Sequence, residues 1–241
     1  MILAGIVAGG TGTRMQSALP KQFLPLAGEP ILLHTLRTFL SVSEIDGIVV
    51  GVPADWFDYT KELLAAHEEL KDEKRLCVCV GGSNRNETLA CLMACGEAQF
   101  GIGDGDIFVT HDAVRPFVTE EMIRDSIRAL SGVRACSAAI PATDTILCAM
   151  DGTHVSEVPR RDSLYQVQTP QTVYFGELRS ILASLSKEEL GAFTDICSIY
   201  RGKGLPVSII PGSGENIKIT GPTDLMIGEA ILRRRKEKEH V

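Results

Sequence analysis

The chain of 241 residues has no hydrophobic run that approaches the roughly 18 residues needed to span a membrane. It also lacks an excess of basic residues, since 24 Lys and Arg against 31 Asp and Glu give a formal net charge of −7. This balance argues against a general nucleic-acid-binding protein, which needs a basic surface. No basic segment precedes the first apolar residues, which predict a strand rather than a signal peptide. We therefore expect a soluble, cytoplasmic protein with no membrane and no nucleic-acid partner.

The seven cysteines lack the even number and the loop-rich setting of a disulfide framework. Cys77 and Cys79 alternate along a predicted strand, and Cys91 and Cys95 lie one turn apart on a predicted helix. These two pairs can also be drawn as metal ligands. We favour small, buried side chains with free thiols, which fit a reducing compartment.

Short apolar runs alternate with helical patterns, which predicts an α/β fold with a mostly parallel sheet and helices on both faces. We expect a single domain, residues 1–241. The predicted strands are 2–8, 48–52, 76–80, 107–110, 135–140, 207–210 and 217–220. The predicted helices are 31–40, 55–70, 86–98, 119–130, 175–185, 194–201 and one from 222.

The alternation of strands and helices is interrupted between Pro141 and Gln171. Residues 145–150 and 154–158 alternate around Asp151-Gly152, a hairpin signal. We therefore predict a β-arm, residues 141–168, that projects from the sheet.

A glycine-rich loop, AGGTGTRM at residues 8–15, follows the first predicted strand. Backbone N–H groups in such a loop can approach phosphate oxygens. It matches neither the dinucleotide fingerprint, whose third glycine position is Met15, nor Walker A, which ends in Gly-Lys-Ser/Thr. Arg14 and Lys21 supply two cations, which a triphosphate needs where the leaving pyrophosphate develops negative charge.

Two further polar segments follow predicted strands. GGSNRNET at residues 81–88 opens a helix at an edge where ligands bind in α/β sheets, although an ordinary capped loop is equally consistent with it. Asp112 and Arg115 could hold Mg²⁺ and a phosphate, or could form a local ion pair. We interpret His111 as a core histidine without a catalytic role.

Together, these segments resemble the cytidylyltransferases that charge small polyol phosphates with CTP. This family includes the methylerythritol-phosphate and ribitol-5-phosphate cytidylyltransferases, and the resemblance runs nearly end to end. It is carried by residues 8–15, 20–23 (PKQF), 81–88, 111–116 (HDAVRP), 144–145 (DT), 168–171 (QTPQ) and 216–220 (NIKIT). The resemblance implies a Rossmann-like sheet of the nucleotide-diphospho-sugar transferase type.

The resemblance also implies roles for individual residues, with CTP as co-substrate and Mg²⁺ as cofactor beside Asp112. No general base is needed, because a phosphate dianion is already a nucleophile. The implied catalytic residues are Arg14, Lys21, Arg161 and Lys218. The implied nucleotide-binding residues are Val7, Ala8, Gly9, Gly10, Gly81, Gly82, Ser83, Arg85, Thr88 and Ala113. The implied polyol-phosphate-binding residues are Asp112, Arg115, Thr145 and Thr169, together with Lys218.

The arm would form a homodimer and carry Arg161 into a partner subunit's site, with the adjacent Arg160 as the alternative for this role. Val114, residues 165–169 and residues 194–197 look more like the ribitol branch of the family. We therefore expect CMP transfer from CTP to D-ribitol 5-phosphate, giving CDP-ribitol, which points to teichoic acid or a related surface polymer. The alternative substrate is 2-C-methyl-D-erythritol 4-phosphate, an isoprenoid precursor. A non-catalytic nucleotide sensor is a remote alternative, and a nicotinamide oxidoreductase is more remote still.

Overall fold

The computed structural model of the chain describes residues 1–10, 17 and 19–239. Within this part, the strands are β1 (Ile2–Val7), β2 (Pro25–Leu26), β3 (Glu29–Pro30), β4 (Gly47–Val52), β5 (Leu76–Val80), β6 (Ile107–Asp112), β7 (Ala135–Pro141), β8 (Tyr165–Tyr174) and β9 (Ser208–Pro211). Seven of these described strands form one sheet in the order β5-β4-β1-β6-β8-β7-β9. Strand β8 is antiparallel to both of its neighbours, and the other pairings in this sheet are parallel. The predicted mostly parallel sheet is confirmed.

Helices α4 (Arg85–Phe100) and α5 (Glu120–Ala129) each begin after a residue whose side chain caps the helix. Asn84 and Thr119 each accept a backbone N–H of the first turn, at the start of α4 and α5 respectively. Gly101, with φ of +69°, ends α4 in the left-handed conformation that glycine adopts most easily. The helices are α1 (Ile31–Leu40), α2 (Phe57–Ala65), α3 (Glu68–Lys71), α4 (Arg85–Phe100), α5 (Glu120–Ala129), α6 (Phe175–Ala183), α7 (Lys187–Ala192), α8 (Ile196–Gly202) and α9 (Pro222–Glu239).

Apolar side chains are buried on both faces of the sheet. On β1, Ala4 and Ile6 pack in one core with residues of α1 and α5. Leu3, which points to the opposite face, packs in a second core with residues of α4, α6 and α8. Burial on both faces explains why the parallel strands read as nearly continuous apolar runs.

The strand register brings the polar segments to one edge of the sheet. Val7, at the end of β1, lies opposite both Gly51 of β4 and Asp112 of β6. The N–H of Gly81 donates to the carbonyl of Val52 at 2.7 Å, so the loop after β5 leaves the same edge. The carboxyl ends of β1, β5 and β6 therefore lie side by side.

Strand β8 was not predicted from the sequence, although Tyr165, Val167 and Thr169 alternate as in a strand. A proline inside a strand pattern disfavours a strand in the middle of a sheet, because proline donates no N–H to its neighbours. In the structure, Ser137 of β7 pairs with Gln171 and Ala139 pairs with Val167, so three β8 residues oppose a single β7 residue. This irregularity in the pairing accommodates Pro170 inside the sheet.

Two elements predicted outside the arm differ from the structure. The predicted helix 55–70 is divided into α2 and α3, and His67 between them is extended. The predicted strand 217–220 is wrong, because the segment is irregular and Ile219 donates one backbone hydrogen bond, to Val114. Ile219 is buried while Lys218 is exposed, so the alternation in the sequence reflects burial rather than sheet pairing.

The arm, residues 141–168, begins at the end of β7 and continues into β8. Its predicted hairpin strands are not formed: one antiparallel bridge joins Cys148 to Glu157, and Gly152 has φ of +74° in the turn. Strands β6 and β7 are both antiparallel to β8, so they run in the same direction. Strand β7 therefore ends at the same edge of the sheet as β6. The arm therefore leaves the sheet at the edge where the polar segments meet.

All seven cysteines are free; Cys136 is buried and the others are partly buried. The Sγ atoms of Cys77 and Cys95 lie 3.7 Å apart. Within the described part of the chain, no group of three or more His, Cys, Asp or Glu side chains is placed to hold a metal ion. Across the same residues, no helix is long and apolar enough to cross a membrane.

Candidate active site

A cleft of about 340 Å³ opens at the carboxyl ends of β1 and β6. In open α/β sheets, ligands bind where the strand order reverses. Here β4 and β5 lie on one side of β1, and β6 lies on the other. The described residues that line the cleft are Val7, Ala8, Gly9, Gly10, Lys21, Gln22, Gly82, Ser83, Asn84, Arg85, Thr88, Asp112, Val114 and Lys218.

Lys21 lies on a short 3-10 turn, Lys21–Phe23, whose other side chains anchor it. The Nε2 of buried Gln22 donates to the carbonyl of Ala8 at 2.6 Å, which ties the turn to the first glycine segment. The ring of Phe23 packs on Trp56, with centroids 5.3 Å apart. A Cβ atom placed on Gly10 would lie 3.4 Å from Lys21 Cε, so the lysine side chain passes close to the glycine backbone.

The loop between β5 and α4 is held by its own side chains. Thr88 Oγ1 accepts the N–H of Gly82 at 3.2 Å and donates to the carbonyl of Asn84 at 2.8 Å. The carboxylate of Glu87 accepts both the N–H and the hydroxyl of Ser83. The loop therefore presents a fixed backbone in front of the N-terminus of α4, where anions are favoured.

Gly82 allows the chain to pass close to Glu87, because a Cβ there would be 2.2 Å from Glu87 Cβ. We predict that Gly82→Ala displaces the loop and raises KM for CTP, the co-substrate that the sequence resemblance implies, by about 10- to 100-fold, the usual cost of misplacing a positioning segment. Gly103→Ala is the matched control, since a Cβ at Gly103 meets no atom within 4 Å. Steady-state kinetics that gave the same KM for both variants would contradict the prediction.

Asp112, at the end of β6, is nearly buried and surrounded by three cations. Its Oδ2 lies 2.7 Å from Lys218 Nζ and 3.8 Å from Arg115 Nε. Its Oδ1 lies 3.7 Å from Arg85 Nε. Burial alone would raise the pKa of Asp112, but Arg85, Lys218 and Arg115 together hold it well below its ordinary value. The carboxylate is therefore ionised and acts as the anchor of a cationic group.

His111 is fully buried beneath Asp112, and both of its ring nitrogens have partners. Nε2 lies 3.1 Å from the carbonyl of Arg115 and must donate to it, so neutral Nδ1 accepts from the Thr169 hydroxyl at 2.9 Å. Thr169 Oγ1 in turn accepts the N–H of Asp112 at 3.2 Å. His111 thus joins β6 to β8.

Burial lowers the pKa of His111 to about 4, below the ordinary value of 6.5. Because the unfolded chain binds a proton more readily, His111 contributes stability that is complete above about pH 6.5 and lost as the pH falls toward 4. We predict that the free energy of unfolding drops by about 2 kcal/mol more in the wild type than in His111→Gln between pH 7 and pH 5. Urea denaturation at both pH values measures this, and equal pH dependence in the two proteins would contradict it.

Arg115 is held by backbone carbonyls beside Asp112. Its Nη1 donates to the carbonyl of Asn216 at 2.8 Å and its Nη2 to that of Val167 at 3.3 Å. Asn216 is fully buried, and its Nδ2 donates to the carbonyl of Thr169 at 2.8 Å. Asn216 lies in the block 216–220 that carries the family resemblance, and these contacts give it a structural role that the sequence pattern does not indicate.

The structure gathers most of the predicted site residues into or next to the cleft. Gly81 adjoins Gly82, and Ala113 is buried beside Val7, to whose carbonyl its N–H donates. Thr145 and Arg161 lie exposed on the arm, where Arg161 donates to the carbonyl of Thr143 and Arg160 pairs with Asp162. Arg14 lies outside the described residues. The sequence reasoning missed Gln22 and Asn84, although an Asn directly before a helix is a common cap signal.

The cleft can be compared with what Mg²⁺ requires. Among the described lining residues, Asp112 is the only acid. One or two carboxylates together with substrate phosphates is the usual protein contribution to a Mg²⁺ site in phosphate chemistry. The side chains therefore fit a metal ion held mostly by the substrate, and do not form a cage of their own.

The chain is similar in sequence and fold to proteins of known family. The family model of 2-C-methyl-D-erythritol 4-phosphate cytidylyltransferase (IspD) matches residues 2–234. A ribitol-5-phosphate cytidylyltransferase of Lactiplantibacillus plantarum is 42% identical over 98% of this chain and 100% of its own length.

Two solved structures show the same fold. The 4-diphosphocytidyl-2C-methyl-D-erythritol synthase of Anaerococcus prevotii is 28% identical, with a TM-score of 0.77 over 97% of this chain and 98% of the other. The 2-C-methyl-D-erythritol 4-phosphate cytidylyltransferase of Francisella tularensis is 26% identical, with a TM-score of 0.77 over 94% and 97%. The chain therefore belongs to the 2-C-methyl-D-erythritol 4-phosphate cytidylyltransferase (IspD) family.

Proposed function

We propose that this protein transfers CMP from CTP to D-ribitol 5-phosphate, giving CDP-ribitol and pyrophosphate. The cationic cleft between two glycine-rich loops supports the binding of a triphosphate and a second phosphate. The observation that carries the choice of substrate is the 42% identity, over nearly the whole of both chains, to a protein named ribitol-5-phosphate cytidylyltransferase.

In the proposed reaction, a phosphate oxygen of the polyol phosphate attacks the α-phosphorus of CTP. The bond between the α-phosphorus and the oxygen bridging to the β-phosphate breaks, and pyrophosphate leaves with that electron pair. A phosphate dianion is already a nucleophile, so the reaction requires positioning and charge neutralisation rather than a base. His111 is buried and both of its ring nitrogens are hydrogen-bonded, which is consistent with a mechanism that uses no histidine base.

We assign the two ligands to different parts of the cleft. The backbone of Val7–Gly10 and the loop 81–88, with Arg85 and Thr88, would hold CTP. Among the proposed catalytic cations, Lys21 would face the triphosphate. Lys218, with Asp112, Arg115 and Thr169, would hold the polyol phosphate. When bound beside Asp112, Mg²⁺ would neutralise part of the triphosphate charge. Thr145 and Arg161 would act from the arm.

The test is pyrophosphate release from CTP and Mg²⁺ with D-ribitol 5-phosphate and 2-C-methyl-D-erythritol 4-phosphate in parallel, with product masses measured. We expect faster release with ribitol 5-phosphate and formation of CDP-ribitol. The family model and the solved relatives favour the methylerythritol substrate as the second candidate, and preference for it would overturn our choice. Release with neither would point to another polyol phosphate or a non-catalytic relative. One carbon and a methyl branch are often worth only about 1–3 kcal/mol, so the two rates should be compared at equal concentrations.

We also propose that the protein is a homodimer joined through the arm. Residues of the arm and its continuation into β8 expose a run of apolar side chains, which is uncommon on the surface of a monomer. These exposed side chains are Ile146, Leu147, Met150, Val155, Val158, Tyr165 and Val167.

We predict that Met150→Asp, at a residue 92% exposed at the tip of the arm, shifts the protein from dimer toward monomer. A charge introduced at an apolar interface must be desolvated, which weakens association. Met226→Asp on α9, at a residue 75% exposed, is the matched control and should leave the mass unchanged. Light scattering after gel filtration gives the masses, and a wild-type monomer would refute the dimer.

A further inference from the structure

A buried hydrogen-bond network lies behind the cleft and joins Arg85 to the start of α8. Gln171 of β8, at its centre, is fully buried. Its Oε1 accepts from Arg85 Nη2 at 3.4 Å and from the backbone N–H of Ile196 at 3.3 Å. Its Nε2 donates to Asp195 Oδ2 at 2.9 Å and lies 3.2 Å from Ser137 Oγ. One amide side chain therefore connects a residue of the cleft to two elements behind it, β7 and the start of α8.

The partners fix which way the Gln171 amide points. The Asp195 carboxylate can only accept hydrogen bonds, and the Arg85 guanidinium can only donate them. A flipped amide would place its oxygen against the carboxylate and its NH₂ against the guanidinium. Asp195 is itself held in place because its Oδ1 caps α8, accepting the N–H of Ser198 at 2.8 Å.

Arg85 has few other contacts that could orient it. Its Nε lies 3.7 Å from Asp112 Oδ1, and its buried Nη1 has no hydrogen-bond partner among the described residues. The guanidinium is thus held between a carboxylate of the cleft and the carbonyl oxygen of Gln171. Because a guanidinium is planar, two contacts at different nitrogens set its orientation.

We propose that Gln171 is a positioning residue, which holds the Arg85 guanidinium in the orientation that receives the nucleotide without touching the substrate itself. This proposal rests on the nucleotide-binding role proposed above for Arg85. It assigns to Gln171 a function in the reaction, and not only a role in joining β8 to α8.

A double-mutant cycle on CTP kinetics separates these two roles. Gln171→Met keeps the length of the side chain but removes both polar groups, and we expect it to lower kcat/KM for CTP by about tenfold in the otherwise wild-type protein. In the Arg85→Ala background the same change should have less than about a twofold effect, because the group that Gln171 positions is gone. Gln171→Asn, which keeps the amide but withdraws it by one methylene, should give the same pattern if the methionine variant does not fold.

Thr172→Val is the matched control on the same strand. It removes a buried hydrogen bond to Ser126 at 2.8 Å and should lower stability while leaving kcat/KM for CTP unchanged. Equal loss from Gln171→Met in both backgrounds would overturn the proposal, since Gln171 would then act independently of Arg85. Unchanged kinetics in Arg85→Ala would also overturn the proposal, because Arg85 would then have no role in nucleotide binding for Gln171 to support. Absence of pyrophosphate release by the wild type would instead refute the proposed function.

Discussion

Replacement of Lys21 by alanine is expected to lower kcat by about 10²- to 10³-fold while the protein stays folded. Lys21 lines the cleft and passes over the glycine backbone at Gly10, where the triphosphate is proposed to bind. In the proposed reaction, a fixed cation at this position would stabilise the charge that grows on the leaving pyrophosphate, so its loss should raise the barrier more than it weakens binding. Initial rates of pyrophosphate release at saturating CTP measure the effect.

Lys61→Ala provides the comparison for this variant. Lys61 is an exposed lysine on α2 that lies over the ring of Phe57 and outside the cleft. It should retain wild-type kcat, and both variants should unfold at nearly the wild-type temperature. Unchanged turnover in Lys21→Ala would remove Lys21 from the catalytic residues, and an increase in KM alone would make it a binding residue.

Replacement of Asp112 by asparagine is expected to affect both activity and stability. The carboxylate lies among Arg85, Arg115 and Lys218, so its removal leaves the largely buried Arg85 and Arg115 without their counterion. Breaking such a buried arrangement typically costs about 3–5 kcal/mol. Loss of the group that aligns these cations should also lower kcat/KM by about 10²-fold or more, the scale of misplaced catalytic groups.

The dependence on pH gives a second test of Asp112. Its pKa is depressed in the folded protein, so its contribution to stability is present above the ordinary pKa of Asp, 3.8, and is lost as the pH falls below it. The difference in unfolding free energy between wild type and Asp112→Asn should therefore shrink between pH 5 and pH 3. Asp125→Asn, which breaks an exposed pair with Arg128, should cost less than about 1 kcal/mol. A stability equal to wild type at pH 7 would show that the cations do not depend on Asp112.

The sequence predicted the elements whose patterns are local. Parallel strands such as β4 are apolar throughout and short, and α5 has an N-cap and acidic residues in its first turn, so each could be recognised alone. Strand β8 could not, because what accommodates Pro170 is an irregular pairing with β7, a strand 24 residues or more away in the chain. The strand predicted at 217–220 is wrong although buried and exposed side chains do alternate there. The segment pairs with no strand of the described sheet, and a sequence pattern cannot show whether a partner strand is present.

The candidate site shows the same division. Glycine loops and charged residues directly after strands are visible in the sequence, and the strand register explains why they meet. Gln171 lies in the block 168–171, but its role could not be predicted, because it depends on contacts with Arg85 and Asp195, which are distant in the chain. Buried polar side chains of this kind become recognisable only when their partners are known.

The reversed direction of β8 has a consequence for access to the cleft. Both ends of the arm are attached at the carboxyl edge, so the residues of the arm are placed beside the cleft in which CTP is proposed to bind. Had β8 run parallel to β7, the segment between them would have had to cross to the opposite edge of the sheet, and only one of its ends would be attached beside the cleft. A change in arm length would therefore alter how substrates enter and leave while the sheet beneath keeps its pairing.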